Sequence, residues 1–263
     1  KPFTTLRNDL RHPDFWPLRN SAGHNLCRGY PRVEIEGERR DHPHHQGLWF
    51  AHGQVNGLDF WHDKNLSVVT EAGELVSGPS KGTWSTENTW LNARGDVLMM
   101  DKRMHTAFVS GDVRGLDFDI SLQALGQPVV FGDTKEGSFA LRVAQGLVAD
   151  AGASLVDSEG RSGKKVWGKR ARWIQARGKV NGQAAAVVLA DHRNNPRAPT
   201  HWHARTYGLL AANPFGLSFF ENQPKNSGDL TIAAGESIRF RYRVLLFARH
   251  PSDQEVESLL KDW

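Results

Sequence analysis

The sequence predicts an all-β chain, and three observations carry that prediction. Short runs rich in Val, Phe, Trp and Thr are separated by turn residues. Helical periodicity is nearly absent before residue 252. Glycine is frequent, 26 of 263 residues, which a chain with many tight turns requires.

The elements follow in order. Residues 1–63 are rich in Pro, His, Gly and Trp and show little clean alternation, so they read as loop-rich. Val97–Val109 and Asp117–Leu125 read as a strand pair about Ser110, Gly111 and Asp112. Ser138–Val148 reads as a strand, and Lys165–Ala176 and Ala184–Ala190 flank a turn at Asn181-Gly182. Leu230–Ala233 leads through Gly235 into Ser237–Phe247. There Ile238, Phe240, Tyr242 and Val244 alternate with Arg239, Arg241 and Arg243, predicting one buried and one wet face. Ser252–Leu260 reads as a short C-terminal helix capped by Ser252 or Asp253.

With no repeat, linker or low-complexity tract, residues 1–263 read as one domain, a size that single β-sandwiches reach. The net charge of +4 comes from basic residues interspersed with acids, which argues against nucleic-acid binding. No apolar stretch approaches the ~18 residues of a membrane span. Cys27 stands alone, so no internal disulfide forms, and it reads as a small apolar filler. No signal peptide is recognised in a chain that begins at Lys1, and the compartment, periplasmic, secreted or cytoplasmic, is left open.

The densest chemistry lies in residues 41–63. His42, His44, His45 and His52 fall within eleven positions, His62 follows, and Asp41, Asp59 and Asp63 stand ready to orient imidazoles. Trp49 and Trp61 are expected to offer flat apolar surfaces to a sugar ring. His201 and His203, two apart, share a face if they lie on a strand, and His203 with His44 and His45 makes a possible divalent-metal site. No other cofactor is expected. Glu221 follows two phenylalanines, where an apolar setting is expected to raise its pKa and suit it as a base. Lys135 and Glu136 sit in a turn between strands as a candidate proton-transfer couple or a surface ion pair. Arg205 suits a hydroxyl, carboxylate or keto oxygen, and Asn213 begins an Asn-Pro turn and is grouped with the substrate-binding residues.

Two resemblances rest on these motifs. The segments DHPHHQGLWFAHGQVNGLDFW, FGDTKEGSFALRV, GKRARW and NPRAPTHWHARTYGLLAANPFG resemble a bacterial "PmoA-like" family of unknown function, over almost the whole chain. That resemblance implies a bacterial protein found beside carbohydrate genes. Phe220-Glu221-Asn222-Gln223-Pro224 and the Gly235-Glu236 signal before the last strand resemble the end of aldose 1-epimerases (galactose mutarotases), and Ala51-His52-Gly53 resembles their sugar-binding His segment. This implies a galactose-mutarotase-like antiparallel β-supersandwich, with Glu221 as general base and His52 on the sugar. The chain departs from the pattern in one place: the turn Asp133–Glu136 holds no His where those enzymes carry their general acid, which leaves Lys135 for that role.

The expected function is therefore acid–base chemistry on a sugar or oxidised sugar, by glycoside elimination, hydrolysis or epimerisation. Glu221, His52, Lys135 and His203 are the expected catalytic residues, and His44, His45, Trp49, Trp61, Glu136, Arg205 and Asn213 the expected substrate-binding ones. The partner is a small carbohydrate. A non-catalytic sugar-binding protein and a metal-dependent oxygenase are the alternative readings.

Overall fold

Ser237–Phe247 has the composition of a central strand, and it forms the spine of the larger sheet. In the computed structural model, which describes residues 3–263, it pairs antiparallel with Gln183–Asp191 on one side and Val113–Gln123 on the other. Beyond these lie Trp173–Val180 and Ser154–Asp157 on one flank, and Val97–Ser110, Lys81–Leu91 and Ser67–Ala72 on the other, with Val76–Ser77 also paired to Lys81–Leu91. A seven-stranded antiparallel sheet packs against this nine-stranded one. Its strand order is Leu6–Arg7, Asp14–Phe15, Leu48–His52, Gly137–Arg142, Leu209–Asn213, His201–Trp202 and Lys169–Arg170. Leu230–Ile232 and Val129–Phe131 make a small separate ribbon.

The main core lies between the two large sheets. Phe139 from the smaller sheet stacks on Tyr242 from the larger at 4.5 Å and meets Phe118 at 4.9 Å. Period-two alternation explains the rest: Phe240, Tyr242 and Val244 are buried, while Arg239 and Arg243 pair with Asp119 and Asp117 on the other face. Past Arg243 the alternation ends and Leu245, Leu246 and Phe247 are all buried, because Val256 and Leu260 at the chain's end cover the outer face there. The helix itself is Asp253–Leu259, and the Ser252 side chain accepts from the Glu255 N–H.

Two expectations are corrected, and two strands are added. Ser138–Val148 is a strand only to Arg142, after which the chain turns through Gln145–Leu147. Lys165–Ala176 is interrupted, with a one-turn helix at Gly163–Val166 and the long strand starting at Trp173. Ser67–Ala72 and Lys81–Leu91 were missed, since their Ser, Thr, Asn and Glu content hides strands with little apolar pattern. No helix among the described residues is long and apolar enough to cross a membrane. Cys27 is buried in the core, where burial pushes its thiol pKa up, in keeping with a filler role.

Candidate functional site on the outer face of the seven-stranded sheet

Three strands at the centre of the smaller sheet set the site. In Leu48–His52, Leu48 and Phe50 point into the main core, and Trp49 and Ala51 point out. The register pairs Trp49 with Ala140 and Ala140 with Ala211, so these three share the outer face. Small residues there leave room for the segment 41–46 to lie over the sheet.

That segment is held by two buried arginines. Arg28 donates to the carbonyls of Arg39, Asp41, His42 and His45 at 3.1, 2.8, 2.9 and 3.0 Å, and to the Asp41 carboxylate at 2.8 Å. Arg142 donates to the same carboxylate at 2.7 Å and lies 4.6 Å over the Tyr207 ring. The two guanidiniums hold the Asp41 carboxyl below its usual range against the opposing effect of its burial. His42 takes a left-handed backbone, φ 45°, which is uncommon outside glycine and common at functional sites.

The anchored rings form a contiguous aromatic array. His42 stacks on Tyr207 at 5.5 Å and on His45 at 4.7 Å, and His45 stacks on Trp49 at 5.5 Å. His44 meets His45 edge-on at 4.5 Å and His62 at 4.6 Å, and the Asp59 carboxylate lies 2.8 Å from His62 Nδ1. Burial lowers the pKa of His44 to about 3 and that of His45 further still. At neutral pH these imidazoles are uncharged and able both to donate and to accept.

A nitrogen from each of His42, His44 and His45 lies within 4.8 Å of the others, so a metal ion is a natural question here. Arg142 Nη1 lies 3.0 Å from His45 Nδ1. Arginine only donates, so that nitrogen uses its lone pair on Arg142 and the ring proton of neutral His45 sits on Nε2. A metal ligand requires a free lone pair and a second nitrogen that donates to an acceptor. His45 meets neither requirement in this arrangement. The expected trio of His44, His45 and His203 is not formed: His42 takes the place of His203, whose Nδ1 donates to the Lys135 carbonyl at 2.6 Å.

Beside the array stands a second group, built on the turn before Gly137–Arg142. Asn213 fixes this turn through a hydrogen bond from Nδ2 to the Thr134 carbonyl at 2.9 Å, and Asp133 accepts from the backbone N–H of Ser218 and of Gly228. The Lys135 ammonium contacts the Glu136 carboxylate. Burial acts to raise the Glu136 pKa, but Lys135, His203 and His62 outweigh it and leave the pKa lowered. Glu136 also acts electrostatically on His42, His44 and Tyr207, so it is the carboxylate common to both groups. His203 is buried and lowered to about 4, mainly by that burial; its Nε2 accepts from Arg205 Nε at 3.3 Å, and Arg205 lies 5.0 Å over the Trp167 ring.

The structure therefore brings together His44, His45, Lys135, Glu136, His203 and Arg205, and it corrects five expectations. His52 shares the inward face of its strand with Leu48 and Phe50. It is fully buried against Phe215 at 4.6 Å, with Nδ1 3.1 Å from the Ser138 hydroxyl and Nε2 2.8 Å from the Gly132 carbonyl, and no surface remains for a sugar. Trp49 and Trp61 are 2% and 1% exposed, so they underlie the histidines instead of offering a stacking surface. Asn213 is fully buried and holds the Thr134 carbonyl and the Phe215 N–H. Glu221 ends the one-turn helix Leu217–Phe220 and accepts from Arg170 at 2.9 Å, with His201 Nε2 at 2.8 Å. These two partners lower its pKa, the reverse of the expected rise.

Sequence reasoning missed Arg28, Arg142, Tyr207 and Trp167. The signal for Arg142 was present, a lone arginine at an outward position of an otherwise apolar strand. An open cavity of about 690 Å³ lies elsewhere, among Leu6, Leu75, Pro79, Trp84 and Phe108, and carries none of these groups.

Among solved structures, the chain is similar to the GH36 α-galactosidase AgaB from Geobacillus stearothermophilus, at 12% identity and a TM-score of 0.40, over 94% of this chain and 38% of that one. It is also similar to a polysaccharide lyase, at 13% identity and a TM-score of 0.38, over 98% of this chain and 34% of the lyase. The chain thus spans little more than a third of either protein. No curated protein matches it in sequence. A family profile matches residues 1–261, and the chain belongs to that family, DUF6807, a family of unknown function.

Proposed function

We propose that this chain is a carbohydrate-active enzyme performing acid–base chemistry on a sugar or oxidised sugar, with Glu136 as the base. The reaction is glycoside elimination, glycoside hydrolysis or epimerisation. The carbohydrate class rests on the resemblance of the chain to aldose 1-epimerases and to the bacterial PmoA-like family.

One observation carries the assignment within the site. Glu136 is half-buried, is held ionised by Lys135, and adjoins neutral imidazoles on the same face. An ionised carboxylate accepts a proton, and an adjacent ammonium returns one. The neutral rings of His42 and His44, with Tyr207, supply donors and acceptors for hydroxyl groups. Glu221 is set aside as the base because its carboxylate is engaged by Arg170 and His201.

The test is turnover on a panel of aldoses, glycosides and 3-keto-glycosides, with wild type and Glu136→Gln. Loss of a general base lowers the rate by about 10²–10⁴-fold. An unchanged rate in Glu136→Gln would remove the assignment. Binding of a sugar with no turnover on any member would favour the non-catalytic sugar-binding reading.

A further inference from the structure

We propose that the sugar handled at this face carries a carboxylate, and that Arg205 is its receptor. This inference rests on the carbohydrate reading above and narrows its substrate class.

The carboxylates around the site are all engaged by cations. Arg28 and Arg142 share Asp41, Arg170 pairs with Glu221, and Lys135 pairs with Glu136. Arg205 has no carboxylate within 4.0 Å among the described residues. Its Nε donates to His203, and neither Nη group has a hydrogen-bond acceptor among them. The buried histidines add no positive charge at neutral pH. Arg205 is thus left without a carboxylate partner of its own.

That group is also held in place. The guanidinium plane lies over Trp167 at 5.0 Å, and Nε is tied to His203, which is buried and itself tied to the Lys135 carbonyl. A surface arginine without such partners samples many rotamers. Here the ordering has been done before a ligand arrives. The part left over is the pair of Nη groups, whose parallel N–H bonds match the two oxygens of a carboxylate. Arg205 is half-exposed, so those bonds are open to a ligand. The neighbouring Lys135 and Glu136 place the candidate chemistry next to this receptor, since His203 bonds both to Arg205 and to the Lys135 backbone.

The test is binding by isothermal titration calorimetry of a glucuronoside, the matched neutral glucoside and its 6-sulfate, to wild type, Arg205→Gln and Arg205→Lys. Wild type is expected to bind the glucuronoside at least about tenfold more tightly than the glucoside. Arg205→Gln is expected to abolish that preference and Arg205→Lys to retain only part of it, because an ammonium lacks the fork. Should Arg205→Gln fail to fold by circular dichroism, the weakening of the wild-type preference with added salt serves as the readout. Equal wild-type affinity for glucuronoside and glucoside overturns this inference and leaves the carbohydrate reading standing. Preference for the sulfate overturns the carboxylate assignment. Binding of none of the three overturns the inference together with the carbohydrate reading.

Discussion

Arg142 donates from Nη1 to Nδ1 of His45 at 3.0 Å, and this one contact fixes the tautomer of the most buried histidine in the aromatic array. The proton of His45 is therefore on Nε2, turned away from Arg142. Long-range nitrogen–proton NMR spectra should show His45 as the Nε2–H tautomer at pH 7. Because His45 lacks a free lone pair, elemental mass spectrometry of tag-free protein should find less than one equivalent of divalent metal. A stoichiometric metal lost on His44→Ala would sink this account and make the array a metal centre.

Arg142 also holds Asp41, and with it the segment that carries three histidines. Arg142→Gln leaves the Asp41 charge to Arg28 alone and removes the donor to His45. Breaking a buried ion pair by removing one partner costs about 3–5 kcal/mol. We expect a loss in the lower part of that range by urea denaturation, since Asp41 is 33% exposed, together with loss of sugar turnover. A variant as stable as wild type would show that the segment is held by Arg28 without help.

The two carboxylates that sequence reasoning singled out should behave differently. Glu221 is partly exposed and engaged by Arg170 and His201, so Glu221→Gln should cost less than about 1 kcal/mol and leave most turnover intact. Glu136→Gln should remove turnover with the fold preserved. The comparison is decisive when both variants are assayed on one substrate. The reverse pattern would return the base to Glu221.

Stability should fall in mild acid. Burial lowers His12, His52, His105 and His203 to about 3, 4, 3 and 4 respectively. In the unfolded chain these rings take up protons below about pH 6.5, while in the folded chain they stay neutral until far lower. Between those limits the unfolded state binds more protons, so each ring withdraws up to about 1.4 kcal/mol per pH unit as pH falls. Asp14 and Asp191, each raised to about 7 by burial, work in the opposite sense, their contribution being lost as pH rises through 7. Four rings against two carboxyls predict a fall in Tm from pH 6.5 to 4.5, and a shallower one in His105→Phe. A flat profile would count against neutral buried histidines.

Gly228 is a test of how the Glu136 turn is held. A Cβ there would lie 1.6 Å from the Phe215 carbonyl oxygen and 2.8 Å from Asp133 Cγ, and the Gly228 N–H is one of the donors that fix Asp133. Backbone cannot yield as a flexible side chain does, so Gly228→Ala should cost about 1–3 kcal/mol and displace the turn. Wild-type stability and turnover in this variant would show that Asp133 does not position Glu136.

Much of the fold was legible because strand alternation is local. Ser237–Phe247 is a strand with the bounds its pattern indicates, and Ser252 caps the last helix as its sequence suggests. The orientation of His52 was legible too, since it stands an even number of residues from Leu48 and Phe50 and so shares their inward face. The density of chemistry in residues 41–63 is also legible, and Lys135, Glu136, His203 and Arg205 were each visible as residue types.

What the tertiary structure alone decided is which of them meet. Leu48–His52 pairs with Gly137–Arg142, and that strand with Leu209–Asn213, across gaps of about ninety and seventy residues in the chain. Sheet order across such distances follows from the burial of whole faces, a collective property that no local window contains. The same holds for charge. Glu221 looks apolar in its own segment, and only the arrival of Arg170 and His201 from distant strands turns its expected rise in pKa into a fall. Arg205 looks like any other arginine until the positions of Asp41, Glu136 and Glu221 show that each is matched to another cation. The sequence by itself determined the strands and the chemical inventory, whereas packing decided which groups face one another and which charges go unpaired.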